Sequence, residues 1–125
     1  MTQHLAILLW ATNPEIPHLC ATPFFHAATA GAMDVEVELY FSSKSVLLLV
    51  PGVAAGITAG QDDDMSVYAH MQQAAKFGTR FIACTDALVA HRIGRAGLIP
   101  EVTGFGGASS FIGRVLSPDW ATVVF

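Results

Sequence analysis

Residues 4–10 (HLAILLW) form a continuous apolar run that stops at Ala11-Thr12-Asn13-Pro14. A run of that length without polar alternation reads as a strand covered on both faces, which requires helices on either side of a sheet. Shorter strand-like segments recur at 35–41 (VEVELYF), 80–83 (RFIA), 102–103 (VT) and 121–125 (ATVVF). Segments of helical composition separate them, at 16–33, 65–77, 85–93 and 108–116. This alternation predicts the α/β class: a three-layer α/β/α sandwich on a five-stranded, mainly parallel sheet, formed as one domain over residues 1–125.

Local signals set the expected boundaries. Pro17 suits a first helical turn, but Pro23 would then lie inside the helix and kink it, so 16–33 reads as a kinked helix. The alternative is a shorter helix capped by Thr22, with Pro23 at its first position. Segment 35–41 alternates Val35, Val37, Leu39 and Phe41 with Glu36, Glu38 and Tyr40. That pattern predicts a partly exposed strand near an edge or interface. Residues 46–50 fit strand or helix equally. Asp62-Asp63-Asp64 is expected as a solvated cap on the helix at 65–77, which Gly78 closes, with His70 facing solvent. Its three consecutive acids lack the alternate spacing of a calcium loop. Trp10 and Trp120 flank strands and are expected to pack.

Only 13% of the 125 residues are charged, against about a quarter in an ordinary domain, and 53% are apolar. Sixteen charges cannot cover the surface of so small a domain, which points to an apolar surface hidden between subunits. A net charge of −4 and the lack of a basic stripe argue against nucleic acid. The apolar stretch 46–59 is broken by Pro51, Gly52 and Gly56 and is too short for a membrane span. The start, Met1-Thr2-Gln3-His4, lacks the basic region of a signal peptide, so a cytoplasmic location and reduced thiols are expected.

Chemistry concentrates at Cys84, at the join between the strand at 80–83 and the helix expected from Thr85. Open α/β sheets bind ligands at that edge, and a helix start favours the thiolate. Gly106-Gly107 follow another strand and could bring backbone N–H groups to the same place. Asp86, in the first turn, works against a thiolate, and His91 lies two turns further on. His18, Cys20 and His26 form a second candidate group, at the sheet edge of Cys84 if the first helix starts near Pro17. Cys20 and His26 do not share a helix face well, and no tight metal-ligand spacing is present, so no metal and no cofactor are expected. A Cys20–Cys84 redox pair would need Cα atoms within about 7 Å. Gly104-Phe105-Gly106-Gly107 lacks the spacing and lysine of a phosphate-binding loop.

Three segments together resemble the DsrE/DsrF-like family of small sulfur-relay proteins: a helix ending AATAGAMD at 27–34 that feeds VEVELYF, FSSKSVLLL at 41–49, and FIAC at 81–84. The C-terminal GGASSF at 106–111, through to VVF at 123–125, fits the family's last helix and strand. The resemblance covers nearly the whole chain. Ser43-Lys44-Ser45 departs from it where a glycine often stands. It implies that 41–49 holds a short helix, that the protein is a homotrimer or homohexamer, and that Cys84 carries sulfur as a persulfide between donor and acceptor proteins. Thr85, Gly106, Gly107, His18, Cys20 and His26 are candidate accessory residues. The alternative is a non-catalytic oligomeric binding module that holds a small ligand or metal at a subunit-interface pocket.

Overall fold

In a computed structural model that describes residues 3–60 and 62–125, the apolar runs form one five-stranded sheet with every neighbouring pair parallel. Its strands are β1 (His4–Leu9), β2 (Glu36–Phe41), β3 (Arg80–Cys84), β4 (Val102–Gly106) and β5 (Trp120–Val124). The helices between them are α1 (Thr22–Ala32), α2 (Val67–Lys76), α3 (Thr85–Ala90) and α4 (Ala108–Val115). Spatial order is β4-β3-β2-β1-β5. The chain therefore steps outward from β1 to β4, and α4 then carries it back across the sheet to place β5 on the other side of β1.

The two faces are covered unequally. Ile7, Leu39 and Phe81 point to the side of α1, α2 and α3, where they pack with Phe24, Met71 and Leu88 in a core of twenty buried residues. Gly31 of α1 passes so close to α2 that a Cβ there would stand 2.6 Å from the Phe77 carbonyl oxygen, which explains the glycine. On the opposite face, α4 alone packs down. Its Phe111 joins Ala6 and Tyr40, with Leu8, Ile82 and Trp120 half-buried around them. Ile112, Val115 and Leu116 of the same segment stay exposed, Leu116 by 78%.

Several local expectations change. The kinked helix over 16–33 is replaced by a 3-10 turn, Pro17–Leu19, and a separate α1 with Pro23 in its first turn. A proline there lacks only an N–H that would have no helical partner, whereas inside a longer helix it would clash with the preceding turn. Strand β2 lies in the middle of the sheet rather than near an edge, and its Glu38 and Tyr40 are buried. Ser66, not the acidic run, caps α2 by accepting the Ala69 N–H at 3.0 Å. Asp63 instead accepts the Met65 N–H and hydrogen-bonds to His70 at 2.8 Å, so His70 is buried rather than solvent-facing. The His70 hydrogen bond holds the Asp63 carboxyl below its ordinary pKa. Residues Ser43–Leu49 form a 3-10 run that Ser43 enters at φ 51°, a conformation glycine adopts without strain. Trp120 packs under Arg114, whose guanidinium carbon stands 4.0 Å from the ring centroid, but Trp10 is 68% exposed.

Candidate functional site

Cys84 is the last residue of β3 and is followed without a loop by α3. Its register partner is Gly106, the last residue of β4, so Cys84 and the Gly106-Gly107 pair expected beside it meet at the carboxyl edge of the sheet. A Cβ on Gly106 would approach Ser110 Oγ to 3.0 Å and Ile82 Cγ2 to 3.3 Å, so the glycine lets α4 lie close over β4. Between these elements is a pocket of about 240 Å³. Cys84, Gly106 and Gly107 form one wall. Leu8, Tyr40, Phe41 and Ser42, from the ends of β1 and β2, form the floor, and Ala108, Phe111 and Ile112 of α4 close it from above. In open parallel sheets ligands bind outside the carboxyl ends of the strands, the edge this pocket occupies. Cys84 itself is half-buried.

Helix α3 is shorter than the segment expected at 85–93. It ends in a Schellman cap: Arg92 takes φ 56°, its N–H bonds to the Val89 carbonyl, and the Ile93 N–H reaches the Leu88 carbonyl at 2.9 Å. With six residues its dipole is short, so the pocket rather than the helix start is the more substantial feature around Cys84. Thr85 is half-buried at the first helical position, and Asp86 is exposed.

The second candidate group lies elsewhere. Cys20 is fully buried, and its thiol donates to the Asn13 carbonyl at 3.2 Å. Burial pushes its pKa up. His18 is exposed in the 3-10 turn and lines a different pocket, with Thr12 and Phe125. His26 is exposed, hydrogen-bonds through Nδ1 to the Thr22 carbonyl at 2.8 Å, and rests against Phe125. None of the three lines the Cys84 pocket. Cys20 and Cys84 are both free thiols. Among the described residues, no three His, Cys, Asp or Glu side chains are grouped to hold a metal ion, and no helix is long and apolar enough to cross a membrane.

A polar cluster that local sequence pattern does not announce lies under α4. Glu38 accepts hydrogen bonds from Tyr40 Oη (2.9 Å), Arg80 (2.7 Å) and both Nε and a terminal nitrogen of Arg114 (2.9 and 3.1 Å). Four donors satisfy the buried carboxylate. The Glu38 carboxylate holds the Arg114 guanidinium above its ordinary pKa. Burial, and then Glu38, raise that of Tyr40. Tyr40 thereby links the cluster to the pocket, whose floor it forms. The sequence carries little signal for the cluster, because Glu38 alternates with Val37 and Leu39 as a solvated residue would.

This fold recurs in solved structures. MTH1491, a protein of unknown function from Methanobacterium thermoautotrophicum, superposes with a TM-score of 0.69 over 98% of this chain and 99% of its own, at 17% identity. The YchN protein of E. coli does so with a TM-score of 0.67 over the full length of both chains, at 12% identity. The chain has a DsrE/YchN-like fold. No protein-family model and no curated protein matches its sequence. At these identities the DsrE/YchN-like likeness is one of architecture, and chemistry has to be argued from the pocket.

Proposed function

We propose that the protein is a sulfur-relay protein, a persulfide carrier whose acting group is the Cys84 thiolate, working as one domain over 1–125 in the cytoplasm. The observation that carries this reading is the placement of Cys84: it is half-buried and lines a pocket at the carboxyl edge of the sheet, next to Gly106 and Gly107. Cys20, buried and hydrogen-bonded, lacks such a position. In the proposed step the thiolate attacks the outer sulfur of a donor persulfide, R–S–SH. A new S–S bond forms between the Cys84 sulfur and that outer sulfur, the donor's S–S bond breaks, and R–S⁻ leaves with the electron pair. No net oxidation occurs and no cofactor takes part. The reverse exchange passes the sulfur to an acceptor protein. Intact mass after treatment with an organic persulfide, R–S–SH, is expected to rise by 32 Da, and Cys84→Ala to abolish the gain; folded wild-type protein that takes up no sulfur overturns the reading.

A second reading, an oligomeric binding module with its pocket at a subunit interface, is favoured by one observation. Ile112 both lines the pocket and belongs to the exposed apolar surface of α4. The two readings share an assembly, a homotrimer or homohexamer that covers this surface.

A further inference from the structure

We propose that the pocket beside Cys84 binds a small, uncharged, apolar molecule the size of a single ring or a short chain. If Cys84 is the carrier, its sulfur donor is then an apolar organic persulfide of low mass, R–S–SH, entering in its neutral form, not an anion such as thiosulfate; this second statement rests on the carrier reading, the first does not. Size sets the first limit. A cavity of about 150 Å³ suffices for benzene, and sites for drug-sized ligands start at about 300 Å³. The pocket, at about 240 Å³, lies between them.

Wall chemistry sets the second limit. Three side chains of the lining carry a heteroatom: Tyr40, Ser42 and Cys84. The Tyr40 hydroxyl is committed to Glu38 at 2.9 Å and that of Ser42 to the Leu9 carbonyl at 2.8 Å. The remaining one is the Cys84 sulfur. No Lys, Arg, His, Asp or Glu lines the pocket, and its surface is almost entirely carbon, so the amides at the start of α4 contribute little to it. An ion entering such a site gives up water without gaining a partner, a far greater cost than for a neutral molecule of the same size. Half-exposed Ile112 in the lining leaves the pocket open to solvent for a small guest.

The test uses full-length Cys84→Ser, which cannot react, titrated with thioanisole and, separately, with benzoate and thiosulfate while backbone amide shifts are followed. Thioanisole is expected to give saturable shifts centred on Gly106, Gly107 and Ala108, with an affinity at least tenfold above that of either anion. Ala108→Leu, added to fill the pocket, is expected to abolish them while the amide spectrum stays folded. Folded Cys84→Ser protein without saturable thioanisole shifts at those amides, or with either anion bound as tightly, overturns the assignment. Sulfur loading of wild-type protein is measured in parallel, so the two claims fail separately. Thioanisole binding without loading supports the pocket assignment and removes the carrier; loading without thioanisole binding removes the pocket assignment alone.

Discussion

Glu38 is the residue on which the thinly covered face of the sheet depends. Its side chain is 3% exposed, whereas those of Arg80 and Arg114 are 52% and 36% exposed. Replacing the acid strands the Tyr40 hydroxyl and removes the fork that ties α4 to the middle of the sheet. Replacing Arg80 removes a half-exposed cation and leaves the carboxylate its hydrogen bonds from Tyr40 and Arg114. Glu38→Ala is therefore expected to cost about 2–4 kcal/mol in urea unfolding, and Arg80→Ala less than about 1 kcal/mol. Equal effects would show that the cluster is solvated in practice. Cys84 and Glu38 also show what is legible in a single residue. A cysteine after an apolar run and before Thr-Asp announces a strand-to-helix join by local pattern alone, although Thr85 is the first helical residue and no side chain caps α3. A glutamate that alternates with valine and leucine looks solvated, because its partners lie 42 and 76 residues away and only the assembled sheet brings them near.

At the scale of elements, the existence of all five strands was legible, since period and apolar run length are local properties; Trp120 and Cys84 extend two of them by one residue, and β4 runs three residues past the expected Val102-Thr103, through the glycines that read as a turn. Helix ends were less so. Helices α1, α2 and α3 share one form of termination, in which Asp34, Gly78 and Arg92 take φ of 64°, 96° and 56°. Only Gly78 advertises itself, because glycine alone enters that region without cost. Arg92 hides the end of α3, which is why the helix looked longer and its dipole more influential on Cys84 than six residues allow. Strand position was the other blind spot. The polar face of β2 resembled an edge strand's, and its place between β1 and β3 follows from topology, not from its own residues.

Across the whole molecule, the imbalance between a core of twenty buried residues and a cluster of three gives the low charge content a location. Of the thirteen large apolar side chains exposed among the described residues, eight lie elsewhere, Trp10, Met33 and Val89 among them, and five, Ile112, Val115, Leu116, Val123 and Val124, lie along α4 and β5. Association of copies through this side would bury them, and sedimentation at micromolar concentration is expected to show three or six chains of 13.2 kDa moving together. A lone 13.2 kDa species would contradict that assembly. The pocket opens beside the same helix, so the proposed assembly and the proposed chemistry would meet at α4. The carrier role of Cys84 stands or falls most directly on native-state alkylation mapped by peptide mass. Brief iodoacetamide treatment of folded protein is expected to modify Cys84 nearly completely and leave Cys20 untouched until denaturant is added. A Cys84 that stays unmodified in the folded protein and reacts only on unfolding would contradict it.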